Sequence, residues 1–167
     1  MPKLTEYEKI GPDFLQHPGK AGTFRVEMPV SAEILFEGLK QPDAWLAMLP
    51  IDRAEWHAPL GPTTTRTIGA KDAEMLEQFF EWEEGRSFAF RLERGTVGAL
   101  QAMAERYEVI PLTSDSSEIA VTFRIQMKGW AAILNPVLKT VFKVQGRRSM
   151  RKLAAYLTEQ SDKDSRS

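Results

Sequence analysis

The chain has 167 residues, of which 43% are hydrophobic, enough for one domain with a sizeable core. Its formal net charge of −1 provides no strong overall field to attract nucleic acid or an anionic membrane, so we expect no nucleic-acid partner. The absence of cysteine excludes disulfides and thiolate chemistry.

Residues 1–20 are predicted to form an irregular arm, because they are polar and interrupted by prolines and glycines. They lack the apolar core of a signal peptide. No apolar run in the chain is long enough to span a bilayer, so we expect no stable membrane insertion. The simplest interpretation is a cytoplasmic protein.

A strand is predicted over residues 22–28, where apolar and polar side chains alternate. Ser31 follows as the predicted N-cap of a short helix, since its hydroxyl can accept a backbone N–H of the first turn. Pro42 ends that helix, because the residue before a proline disfavours the α conformation. Residues 43–49 are predicted to form one more short turn, which carries Trp45.

Six further segments have the pattern of strands and are separated by turn residues. They are residues 51–58, 63–70, 73–83, 86–94, 102–110 and 117–128. After Gly129 the period becomes helical up to about residue 160, and residues 161–167 are predicted to be a disordered tail. Helices only before and after a run of strands predict an α+β domain with a mostly antiparallel sheet over residues 21–160.

The alternation of side chains along the hairpin within residues 73–94 predicts which of them share a face. A three-residue loop, 83–85, would place Gly85 in the left-handed conformation that such loops favour. One face of the hairpin would then carry Leu76, Gln78, Phe80, Trp82, Phe88, Phe90 and Leu92. The other would carry Glu77, Glu81, Glu83, Arg91 and Glu93. A two-residue loop would turn Glu77 and Glu81 inward beside aromatic rings, which is costly.

The ordered set of segments resembles the START-like, helix-grip superfamily, which includes polyketide cyclases/dehydrases, pollen-allergen-type proteins and lipid-transfer domains. The resemblance covers about residues 21–160 and is carried by VEMPVSAEILFEGLKQPDAWLAMLP, APLGPTTTRTIG, EQFFEWEEGRSFAFRLE, RYEVIP, EIAVTFRIQMKG and MRKLAAYLTEQ. It implies a curved antiparallel sheet of about seven strands wrapped on a long C-terminal helix. The two short helices would form a V, with Trp45 plugging or bordering a cavity between sheet and long helix.

The resemblance also implies that the cavity holds a small apolar or aromatic molecule. We expect large side chains of the sheet and the helix to line it, with a few polar groups; the alternative is that they fill a core. The expected lining residues are Trp45, Trp56, Arg66, Gln78, Phe80, Trp82, Phe88, Phe90, Leu92, Glu105, Tyr107, Phe123, Ile125, Leu134, Leu138, Val141 and Phe142.

Two polar residues are candidates for chemistry in that cavity. Glu105 shares a strand face with Tyr107, and a carboxyl in an apolar cavity would have a raised pKa and could act as acid or base. The alternative is a strand-end carboxylate in water or one paired with an arginine. Arg66 shares a face with Ile68 and could hold a ligand carboxylate; the alternative is a surface arginine.

Other motifs point to no further chemistry. His17 and His57 are far apart and lack ligand spacing, so no metal is expected. No nucleophile motif or phosphate-binding loop is present, so we expect no cofactor. Lys143, Arg147 and Arg151 form a basic ridge, which we interpret as a solvated helix face. The alternative is a contact for lipid headgroups, which the balanced net charge does not favour.

Three functions stay open, in this order of preference. The first is a binding or carrier domain for a small hydrophobic ligand that is a lipid, polyketide-like or aromatic. The second is an enzyme of the polyketide cyclase/dehydrase type that uses Glu105. The third is an interaction protein with a filled core. The sequence does not determine the ligand or the oligomeric state.

Overall fold

The computed structural model describes residues 3–166; residues 1, 2 and 167, at the ends of the predicted arm and tail, lie outside the described residues. The strands form one antiparallel sheet in the order β2-β8-β7-β6-β5-β4-β3, and β1 pairs with β6. The strands are β1 (Thr5–Glu6), β2 (Gly22–Met28), β3 (Arg53–Trp56), β4 (Thr65–Ala70), β5 (Ala73–Glu83), β6 (Ser87–Gly95), β7 (Leu100–Pro111) and β8 (Ser117–Met127). The predicted α+β helix-grip architecture is confirmed.

Two short helices follow β2, as predicted: α1 (Ala32–Leu39) and α2 (Pro42–Met48). The hydroxyl of Ser31 caps α1 by accepting the backbone N–H of Ile34 at 3.2 Å. Pro42 opens α2 at its first turn, where a proline has no hydrogen bond to lose. The buried indole of Trp45 donates to the carbonyl of Leu39 at 2.8 Å, which ties the two helices together.

The long helix α3 (Asn135–Asp164) is preceded by a 3₁₀ helix, Gly129–Leu134, and crosses the inner face of the sheet at β2. Glycine permits this close approach. A Cβ atom on Gly146 would lie 2.3 Å from the ring of Phe24, and one on Gly38 of α1 would lie 2.5 Å from Leu157. The main core therefore lies between the sheet, α1, α2 and the second half of α3.

The predicted register of the β5–β6 hairpin is wrong. Glu83 pairs with Ser87 and Trp82 with Phe88, so the loop lies one residue further along the chain, with Gly85 at φ 76°. A bulge between Phe79 and Glu81 then inverts the parity of the earlier part of β5. As a result Phe79 and Glu77 face the core, whereas the predicted inward residues Gln78 and Phe80 lie on the outer face.

The N-terminal arm is more ordered than predicted. Strand β1 extends the hydrogen bonding of β6, and a 3₁₀ helix, Pro12–Gln16, buries Phe14 and Leu15 against the outer face of the sheet. The guanidinium of Arg124 lies 4.1 Å from the Phe14 ring and donates to the Phe14 carbonyl at 3.0 Å. The arm therefore covers apolar surface that the sheet would otherwise expose.

The C-terminal end of the last helix also differs from the prediction. Helix α3 continues to Asp164, so residues 161–164 are helical rather than part of a disordered tail. An ion pair between Lys163 and Glu159, one turn apart at 2.8 Å, supports this last turn. The division of the chain into an arm, a domain over residues 21–160 and a tail stays a prediction.

Candidate functional site

A buried ion pair lies inside the sheet. Arg66 of β4 and Glu77 of β5 are direct cross-strand partners, and Nε of Arg66 donates to Oε2 of Glu77 at 2.5 Å. Their exposed fractions are 0% and 2%. The bulge in β5 is what turns Glu77 inward, so that the cost of burying its charge is offset by the arginine.

Aromatic rings enclose the guanidinium of Arg66. Its central carbon lies 3.6 Å from the centroid of Trp45, which is a cation–π contact. The rings of Trp56, Phe90 and Phe79 follow at 4.9, 5.3 and 5.5 Å. Within residues 3–166, the positive charge therefore lies among apolar ring faces and is hydrogen-bonded to one carboxylate, that of Glu77.

Part of the hydrogen-bonding capacity of this cluster is unused. Among residues 3–166, neither Nη1 nor Nη2 of Arg66 has a hydrogen-bond partner, and the indole Nε1 of Trp56 has none. Buried donors without acceptors are rare in native proteins and cost about 1–3 kcal/mol or more each. Three such donors close together favour a site built to receive an acceptor.

A second carboxyl lies next to the ion pair. Glu105 of β7 is the cross-strand neighbour of Phe90 on one side and Phe123 on the other. The phenol of Tyr107 donates to Oε2 of Glu105 at 2.7 Å. Glu105 is partly accessible to solvent, whereas Tyr107 is buried.

Burial changes the protonation of these groups. Burial raises the pKa of Glu105 from 4.5 to about 7; the Tyr107 hydrogen bond and the Arg66 charge lower it, and the Glu77 charge raises it. Burial also raises the pKa of Glu77, against the opposing charge and hydrogen bond of Arg66. The pKa of Tyr107 lies well above 10, mainly because of burial. Glu105 can therefore both donate and accept a proton near neutral pH.

A cleft of about 690 Å³ lies where the end of β8 meets the arm and the start of α3, and its lining does not include the residues of this cluster. Phe123 and Ile125 are the expected lining residues that border it, together with Gly19, Lys20, Gln101, Arg124, Gln126, Met127, Gly129, Ala132, Asn135, Pro136, Lys139 and Thr140. Phe123 thus lies between the cleft and Glu105. A second groove, of about 340 Å³, lies at the C-terminal end of α3.

The structure brings together six of the residues predicted for the site: Trp45, Trp56, Arg66, Phe90, Glu105 and Tyr107. The Phe88 ring stacks on those of Trp82 and Tyr107, at 5.5 and 5.1 Å. Leu92 packs in a separate cluster with Tyr7, and Phe142 lies 5.2 Å from Phe123.

Two predicted lining residues face solvent instead: Leu134, at the end of the 3₁₀ helix before α3, is 41% exposed, and Val141 of α3 is 46% exposed. Leu138 and Phe142, predicted to lie on the same apolar stripe, are half-buried. Sequence reasoning also missed Glu77 and Phe79. The signal for Glu77 was its charge, which complements that of Arg66 on the neighbouring strand.

Within residues 3–166, no group of three or more histidine, aspartate or glutamate side chains is arranged to hold a metal ion. No helix in the same range combines the length and apolarity needed to cross a membrane.

Comparisons with known proteins identify the fold. The sequence matches no known family profile. It is 27% identical over 153 residues to an uncharacterised protein of Mycobacterium tuberculosis, covering 89% of this chain and 91% of that one. A START superfamily protein from Mycobacterium smegmatis superposes with a TM-score of 0.69 at 15% identity, over 85% and 99% of the chains. The Zhui aromatase/cyclase from a Streptomyces species gives 0.69 at 9% identity, over 84% and 94%. The chain has the START-like helix-grip fold.

Proposed function

We propose that the protein binds a small amphipathic molecule, with its apolar body between the sheet and α3 and an acceptor group directed at Arg66. The two unpartnered Nη atoms of that buried arginine carry the proposal. A carboxylate would accept both N–H groups as a bidentate pair. The surrounding rings of Trp45, Trp56 and Phe90 favour an aromatic or conjugated body next to the acceptor.

The position of the cleft supports an entry route. Phe123 lines the cleft and is the cross-strand partner of Glu105, so a route from the cleft to the cluster would require the buried Phe123 ring to move. The half-buried Phe142 packs on Phe123 and would have to move with it. A carrier needs no further chemistry, because uptake and release require only this exchange. A cytoplasmic location belongs to the same proposal and is tested by cell fractionation.

Two dyes with one ring skeleton test the role of Arg66. 1-Anilinonaphthalene-8-sulfonate carries a sulfonate that N-phenyl-1-naphthylamine lacks. We expect the wild-type protein to prefer the sulfonate dye at least about tenfold, since hydrogen bonds to charged groups contribute about 1.5–3 kcal/mol. Fluorescence titration measures both affinities. Native mass spectrometry followed by solvent extraction then identifies any ligand retained from cells.

Matched double variants make the dye test specific. Arg66→Met/Glu77→Leu removes the buried pair without changing the net charge and should abolish the preference. Arg106→Met/Glu81→Leu removes an ion pair of the same kind, 2.7 Å long, from the outer face and should leave the preference intact. An unchanged preference in the first variant would refute the role of Arg66. A wild-type protein that binds neither dye would support the interaction protein with a filled core.

Glu105 favours a second candidate, an enzyme of the polyketide cyclase/dehydrase type. A carboxyl with a pKa near 7 beside an arginine could remove a proton from the carbon next to a carbonyl that Arg66 holds. We expect the protein to accelerate deuterium exchange at that carbon in an aromatic ketone such as 1-tetralone, followed by NMR in D₂O. Glu105→Gln should return the exchange to background with the fold intact. Equal exchange in both proteins would exclude this role.

A further inference from the structure

An apolar surface is exposed next to the cleft. Trp130 and Ile133 of the 3₁₀ helix before α3 are 86% and 78% exposed, and Val137 in the first turn of α3 is 58% exposed. We call the complete set the exposed apolar stripe: Trp130, Ile133, Leu134, Val137, Val141 and Val144. Its members are concentrated between residues 130 and 144, whereas exposed apolar residues usually occur singly.

The same surface continues as a basic region. Residues 134, 137, 141 and 144 repeat at helical spacing, and Arg148, Arg151 and Lys152 extend that face toward the C-terminus. All three are exposed. From residue 128 to residue 158 the chain contains seven basic residues and no Asp or Glu. The seven are Lys128, Lys139, Lys143, Arg147, Arg148, Arg151 and Lys152. All the acidic residues lie elsewhere in the chain, so the net charge of the whole chain is only −1.

We propose that the exposed apolar stripe and the basic region beside it dock on the surface of an anionic lipid bilayer. An exposed Trp next to aliphatic side chains suits the boundary between headgroups and acyl chains. Arg148, Arg151 and Lys152 would attract anionic headgroups at the same time. A second copy of the chain is a less suitable partner for this surface, because a symmetric dimer contact would bring the basic residues of the two copies together.

The position of this surface suggests what docking would accomplish. Ala132, between Trp130 and Ile133, lines the cleft, as do Gly129 and Pro136. Docking would therefore hold the cleft opening at the bilayer, from which an apolar molecule could enter without crossing water. The contact itself does not depend on what the cleft binds, so failure of the ligand proposal would leave it standing.

Vesicle flotation with the full chain tests the docking. We expect binding to vesicles of equal parts phosphatidylcholine and phosphatidylglycerol, weaker binding to phosphatidylcholine alone, and loss of the difference at high salt. Trp130→Ser should reduce binding to the anionic vesicles. Its control is Leu112→Ser, which replaces an exposed apolar residue in the β7–β8 loop and should have no effect.

A charge variant completes the test. Arg148→Gln/Arg151→Gln should weaken binding to anionic vesicles about 25-fold, since each basic residue near such a surface contributes about fivefold. Lys3→Gln/Lys9→Gln changes the net charge equally, on the exposed arm, and should bind like wild type. Equal binding to both vesicle types, no binding, or equal loss in both charge variants would overturn the proposal. So would a wild-type dimer in sedimentation that Trp130→Ser dissociates.

Discussion

Replacing Glu105 with Gln is expected to stabilise the protein in a pH-dependent way. Burial raises the pKa of this carboxyl from 4.5 to about 7, so the folded state disfavours its ionised form. Because the folded-state pKa exceeds the unfolded one, the stability of the wild-type protein falls as pH rises from 4.5 to about 7. The shift corresponds to about 3 kcal/mol. This is an upper bound, since part of the side chain meets solvent.

Glu105→Gln lacks this titration, and its amide oxygen can still accept the Tyr107 hydroxyl. The variant should match wild type at pH 4.5 and exceed its free energy of unfolding by up to about 3 kcal/mol at pH 8. Urea unfolding followed by tryptophan fluorescence at both pH values measures the difference. Glu108→Gln, an exposed carboxylate on the same strand, is the control for charge removal without burial. A difference that does not grow between the two pH values would refute this account.

Two further changes test the buried ion pair and the seat of the long helix. Arg66→Met should lower the free energy of unfolding by about 3–5 kcal/mol, because it leaves the Glu77 carboxylate buried without its partner. Adding Glu77→Leu should restore much of the loss; a double variant as unstable as the single one would contradict this. Gly146→Ala should destabilise by about 1–3 kcal/mol through contact with the Phe24 ring, although alanine normally favours helices. Thermal unfolding measures this loss, with Gln145→Ala as the control: that position of α3 is exposed, so the substitution should leave the stability unchanged or raise it.

Much of the fold follows from local patterns. Alternation with period two predicts each strand of the main sheet, and the helical period after Gly129 predicts the long helix, because both periods reflect which side chains one face must bury. The cap at Ser31 and the break at Pro42 act within a few residues. Phe88, Phe90, Tyr107 and Phe123 were therefore predictable as inward residues from their own strands alone.

The arrangement of the site depended on contacts between distant segments. Phe79 and Phe80 are adjacent and lie on opposite faces of the sheet. Phe79 is buried in the main core, whereas Phe80 is partly buried on the outer face, where it packs against the cluster that contains Phe14 and Leu15. The bulge beside them inverts the parity of β5 and brings Glu77 to Arg66. The sequence of β5 alone argues against an inward Glu77, because the charge that compensates for its burial, Arg66, lies on another strand.

The sequence by itself determined the order of elements, the antiparallel sheet and the inward rings, since these depend on neighbours a few residues apart. Only the tertiary structure decided that Arg66 is enclosed by four aromatic rings, that Glu105 titrates near pH 7, and that Trp130 faces solvent. The burial of a side chain and the charges around it depend on groups that are far apart in the chain. They become defined only when the sheet closes on α3.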